Sequence, residues 1–153
     1  MALPAGVSAC SMCVELMTST TWVDYSDHLS VIDPPVQTRP TGEAYVFGGD
    51  TAVIGVGKRG PMDVNVRGVW VAGSTTASGF YTVYQEFTAA CGDMVALRWG
   101  PMGCTSGQDV FYTSTTKSEV TSLTFPGGDA GSADIIMFEF VVHTPDVTHA
   151  IWV

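Results

Sequence analysis

The chain is 153 residues long, the length of one ordinary domain. Six Lys and Arg stand against 15 Asp and Glu, and the formal charge of −9 argues against a protein that holds nucleic acid through a basic footprint. Hydrophobic residues make up 46% and charged residues 14%, against about 25% in an average domain, and mean hydropathy is +0.25, so disorder is excluded and a surface this poor in charge implies burial against other subunits.

The first basic residue in the chain is Arg39. A secretory leader needs a positive start followed by an apolar run, and a membrane helix needs roughly 20 apolar residues. Neither pattern is present, so the expectation is a soluble protein made in cytoplasm, with no membrane partner. Cys10 and Cys13 form one CxxC pair, while Cys91 and Cys104 are widely spaced. That is half of a zinc pattern. In a strand, residues three apart point to opposite faces. Small reduced thiols are therefore expected, with no metal site and no disulfide framework.

Gly, Pro, Ser and Thr punctuate short segments rich in Val, Ile, Phe, Tyr and Trp, which is a mostly β pattern. Strands are predicted over 12–17, 21–25, 29–32, 44–47 and 52–56, then 62–72, 94–99, 109–113, 119–125 and 134–143. Between the second and third, Asp24, Asp27 and His28 could suggest an acid–base or metal site, but two carboxylates beside one His is also a common turn composition. The glycine-rich stretches at 48–50, 55–60 and 127–129 read as hairpin turns. Arg39, Lys58 and Arg59, half of the basic residues, fall in two loops. They either pair with acidic patches on a neighbouring subunit or are solvated turn residues.

In 62–72, Met62, Val64, Val66 and Trp70 share one face, and Asp63, Asn65 and Arg67 share the other, as in a half-solvated sheet. The segment 79–91 switches to helical period: Phe80, Val83, Tyr84, Phe87 and Cys91 form one stripe, with Ser78 as N-cap and Gly92 as the C-terminal glycine. Thr82, Gln85, Glu86 and Ala89 would face away. Near the end, Ile136, Phe138, Phe140 and Val142 form one strand face. The opposite face, Ile135, Met137, Glu139, Val141 and His143, is also largely apolar, as in a sandwich-core strand or one covered by a neighbouring subunit. Phe80, Val83, Phe87, Phe138 and Phe140 are assigned to the core. No nucleophile elbow, phosphate loop or zinc-protease helix is present, so no catalytic residue and no cofactor is expected.

Taken together, these pieces resemble the major tail tube proteins of long-tailed, siphovirus-type bacteriophages. The resemblance rests on the TWVDYS stretch at 21–26, AYVFGGD at 44–50 followed by Gly57 and Lys58, and the strand 64–70. It continues through the aromatic-led helix, LRWGP at 97–101, and LTFPGGD at 123–129 before the late apolar strand. It implies a single domain over 1–153, a β-sandwich or barrel with one flanking helix. It also implies six-membered rings stacked into a hollow tube, their inward strands joined into one continuous barrel. Partners would be further copies of the chain, a tape-measure protein, tail terminator and tip proteins, and genomic DNA in transit without specific binding. The location would be the virion tail, and any added surface domain is doubtful. The polar sheet faces then offer the lumen candidates: Asp63, Asn65 and Arg67, or Glu119 and Thr121. An acidic bore fits the composition, because it repels phosphate within a Debye length of about 8–10 Å. The competing expectations are a capsid decoration or other virion-surface β-protein, and a hydrolase or metal enzyme built on a β-sandwich.

Overall fold

The computed structural model describes residues 9–18, 20–33, 35–70, 79–89, 95–133 and 135–153. Among these, β1 (Cys13–Thr18), β2 (Thr21–Asp24), β7 (Val95–Gly100), β8 (Asp109–Thr113) and β11 (Val147–Ile151) form an antiparallel sheet in the order β11-β8-β7-β1-β2. A second antiparallel sheet contains β3 (Leu29–Ile32), β6 (Met62–Val69), β9 (Glu119–Gly127) and β10 (Met137–Thr144), in the order β3-β6-β10-β9. Between β3 and β6 the chain leaves the body as a ribbon made by β4 (Thr41–Ala44) and β5 (Val53–Val56). Among the described residues neither large sheet closes on itself, so the fold is mainly β with open sheets and one α-helix, α1 (Gly79–Thr88).

Strand alternation builds the core. Val14, Leu16, Leu97 and Trp99 point inward from the five-stranded sheet, and Val64, Val66, Phe138, Phe140 and Val142 point inward from the four-stranded one. In β6 the burial alternates without a break, with Met62, Val64, Val66 and Gly68 in and Asp63, Asn65 and Arg67 out. Gly68 stands opposite Phe138 in the β6–β10 ladder, and the phenyl ring occupies the space where a side chain at 68 would start. The second face of β10 is not covered by the described residues of this chain: Met137, Glu139 and His143 are exposed and Val141 is half-buried. Ile135 and Ile136, expected in this strand, precede it and are exposed.

The helix is shorter than its periodic pattern and turned from the predicted face. Ser78, Cys91 and Gly92 lie outside the described residues. Val83 is fully buried, but Phe87, expected in the core, is 39% exposed, and Tyr84 is 36% exposed. The inward stripe is Gly79, Thr82, Val83 and Glu86, one residue earlier than predicted, or about 100° around the axis. Two contacts account for the rotation. Gly79 has no side chain to hold off Tyr25 and Phe138, and Thr82 Oγ1 lies 2.8 Å from the Tyr25 hydroxyl. Phe80 is half-buried and packs its ring against Phe138 at 5.5 Å and Phe125 at 5.8 Å between centroids, which seats the helix beside β9.

Candidate functional site: a polar sheet face and an exposed arm

The outward face of the four-stranded sheet is where the sequence-predicted lumen residues gather. Asp63, Asn65 and Arg67 lie along β6. Across the ladder, His143 of β10 stands between Asp63 and Glu119, and Val141 stands between Asn65 and Ser122. Glu139 stands between Arg67 and Thr124. Thr121 sits at a β-bulge, where the pairing jumps from Val142–Val120 to Val141–Ser122. Asp33 borders the same surface and donates its backbone N–H to Asn65 O at 2.9 Å. The face therefore carries the carboxylates of Asp33, Asp63, Glu119 and Glu139 against the guanidinium of Arg67 and the imidazole of His143.

Both nitrogen bases are bound across strands. Arg67 Nε donates to Glu139 Oε1 at 2.6 Å. His143 Nδ1 lies 2.7 Å from Asp63 Oδ1, within hydrogen-bond distance. The sequence places Glu139 and His143 on one face of the late strand but does not join that face to β6, and it leaves out Ser122 and Thr124. The available signal was Glu139, a carboxylate inside an apolar run.

The second feature is the arm between β3 and β6. Its ladder runs past β4 and β5: Gly57 N–H donates to Pro40 O at 2.7 Å, and Gly60 N–H to Thr38 O at 2.9 Å. Its root is stapled to the β10–β11 turn. Gln37 Nε2 donates to Gly60 O at 3.0 Å and Pro145 O at 3.1 Å. Arg59 forms a two-pronged bridge to Asp146, at 3.2 and 3.1 Å. Beyond the root, Tyr45, Val46, Phe47, Val53, Ile54 and Val56 are all exposed, Phe47 completely. The predicted strand at 44–47 is corrected accordingly: pairing ends at Ala44, and the three apolar residues after it lie in the loop that joins β4 to β5. Arg59, half-exposed, is paired with Asp146 of its own chain. Arg39 and Lys58 are exposed on the arm.

The remaining sequence candidates resolve into structural roles. Cys13 and Cys104 form a disulfide, with Cα atoms 5.4 Å apart, which corrects the expectation of reduced thiols. The β1–β7 pairing puts Cys13 opposite Gly100 and so beside the loop that carries Cys104. Cys10, the other member of the CxxC pair, is exposed and outside the bond. Glu15 lies within 4.8 Å of both bonded sulfurs, but its carboxylate is engaged by Arg98. Arg98 itself is sandwiched between Trp22 and Trp152, 4.5 and 4.3 Å from their ring centroids. In the Asp24–His28 cluster, Asp24 Oδ1 accepts from the Ser26 backbone at 2.8 Å and from its hydroxyl at 2.5 Å, a local turn. His28 packs edge-on against Tyr25. Among the described residues, no helix is long and apolar enough to cross a membrane.

No family model and no curated protein matches this sequence. Solved structures do match its fold. A chain of the sheath/tube terminator of the PVC extracellular contractile injection system, in the extended state, superposes with a TM-score of 0.73 at 14% identity, covering 97% of this chain and 99% of that one. A chain of the PVC sheath–tube complex gives 0.72 at 15% identity, over 95% and 92% of the two chains. A chain from the tail of an empty gene transfer agent particle, refined helically with C6 symmetry, gives 0.62 at 10% identity, over 95% and 98%. At these identities the likeness is one of fold, and it spans nearly the full length of each chain. The expected fold is thus shared with chains from contractile injection systems as well as from a gene transfer agent tail, and is not particular to siphovirus-type tails.

Proposed function

We propose that this chain is a structural subunit of a phage-like tail tube, with no catalytic role. Copies associate side by side into rings, and rings stack into a hollow conduit in the virion tail. The observation that carries this reading is the arm: a stapled, projecting ribbon whose apolar side chains stand exposed, with nothing covering them among the described residues. A monomer gains nothing from such a surface, whereas a head-to-tail assembly buries it. The open edges at β3 and β9 support the same reading, because unpaired strand edges are templates for pairing with another copy. The C6 symmetry of the gene transfer agent tail, a structure of the same fold, supports six copies per ring. Six four-stranded sheets, at about 4.8 Å per strand and a tilt near 40°, would close on a barrel roughly 40–50 Å across. The acidic outward face of that sheet would line it, with Asp63, Asn65, Arg67, Glu119 and Thr121 toward the bore. A tape-measure protein would occupy the bore during assembly and DNA would pass through it later. Terminator and tip proteins would close its ends.

A second reading is a tube terminator, because terminator and cap assemblies are among the structures of this fold. Concentrating the purified full-length chain and imaging it by negative stain separates the readings. A tube subunit gives stacked rings of variable length. A terminator gives single rings. Monomers alone at high concentration refute both, and a trimer favours a capsid decoration protein.

A further inference from the structure

We infer that Glu139 serves as a cation mask, and Asp63 as its counterpart on the neighbouring imidazole: they engage Arg67 and His143 on the polar sheet face so that passing phosphate cannot grip these groups. The inference rests on that face being the bore. A conduit for nucleic acid must not bind it, and overall negative charge does not secure this alone. A single arginine repeated around a ring presents several guanidinium groups at one height, and guanidinium is the side chain best matched to phosphate. Neutralising several phosphates together gives substantial, salt-dependent affinity. Arg67 is the described arginine on this face, and it is placed where it would do this.

The ladder prevents it. Glu139 is the direct cross-strand neighbour of Arg67, and its carboxylate takes the Nε donor at 2.6 Å. Asp63 is likewise the direct neighbour of His143 and holds its Nδ1 at 2.7 Å. Each pair is about half exposed, so its contribution to stability is small, within the usual range of about 0–1 kcal/mol for surface pairs. Its consequence lies elsewhere. A phosphate must displace a carboxylate fixed by backbone register while being repelled by Asp33 and Glu119 alongside. On the arm, by contrast, Arg39 and Lys58 are exposed, in the stretch where the ladder continues past Thr41 and Val56, and they face each other instead of a carboxylate.

The test is retention of a short labelled DNA duplex on a column carrying the full-length chain at high density, run at 50 and 200 mM salt. Wild type should retard the duplex little. Glu139→Gln should retain it about tenfold more at 50 mM salt and lose most of that gain at 200 mM, as expected for phosphate contacts. The double variant Arg67→Gln/Glu139→Gln should return to wild-type behaviour. Glu43→Gln, which removes the same charge from the arm, should not imitate Glu139→Gln. Equal retention by Glu139→Gln and wild type, or by Glu139→Gln and Glu43→Gln, would overturn the mask. Micrographs of the same preparations keep the two ideas apart. Rings without a Glu139→Gln effect leave the tube and remove the mask. The effect without rings leaves the mask and removes the bore.

Discussion

Replacing Gly68 with alanine tests how tightly the four-stranded sheet is locked to the helix above it. A Cβ built at position 68 would lie 2.3 Å from Phe138 Cζ and 2.7 and 2.8 Å from its two Cε atoms. Carbon contacts are comfortable at about 3.5–4.0 Å, so the ring must move by more than about 1 Å. It has nowhere to go: Phe138 is 1% exposed, with Phe80 and Phe140 centroids at 5.5 and 6.3 Å. Overpacking of this kind costs about 1–3 kcal/mol. For a chain of this length each kcal/mol is worth about 2–4 °C in Tm. Phe138→Leu removes the ring and leaves room for the new methyl group. Urea unfolding of wild type, Gly68→Ala, Phe138→Leu and the double variant, followed by far-UV circular dichroism, should show the alanine costing less in the leucine background. The expected coupling is about 1–2 kcal/mol. Additivity within about 0.5 kcal/mol would refute the clash.

Two further predictions address the arm and the disulfide. Phe47→Ser, at the exposed turn of the arm, should abolish ring or tube formation in negative stain while shifting unfolding stability by no more than about 0.5 kcal/mol, as for other surface sites. Assembly at wild-type concentration would contradict the role given to the arm. Cys104→Ser opens a link between residues 91 apart in sequence. The chain-entropy model sets its cost at up to about 4–5 kcal/mol, and reductant should destabilise wild type by a similar amount while leaving the variant unchanged. A wild-type unfolding curve indifferent to reductant would show that the two thiols are not joined.

Much of the fold was legible because it follows local period. The strands at 29–32 and 109–113 were predicted to the residue, and the two faces of β6 followed from simple alternation. What failed depended on partners distant in sequence. The apolar run Tyr45, Val46 and Phe47 reads as a strand, yet it tips a ribbon that leaves the body, and no local pattern distinguishes the two. The helix turned because Gly79 and Thr82 meet Tyr25, a contact across 57 residues in the case of Thr82. β11 (Val147–Ile151) was missed because Thr148 and His149 interrupt its apolar character, while its pairing with β8 supplies the backbone partners that make it a strand. The disulfide was missed for a related reason: CxxC spacing draws attention to Cys10 and Cys13, but the β1–β7 register chooses Cys104. The polar surface was half legible, because β6 announces its own outward residues whereas Glu139 gains meaning only opposite Arg67.

The order β3-β6-β10-β9 has a consequence in its parity. Four strands that alternate in direction begin and end with opposite polarity, so β9 of one copy runs counter to β3 of the next when they are set side by side. The wall of a closed ring could then be woven around its whole circumference without one parallel seam. A sheet of three or five strands would place like-directed edges together at every joint.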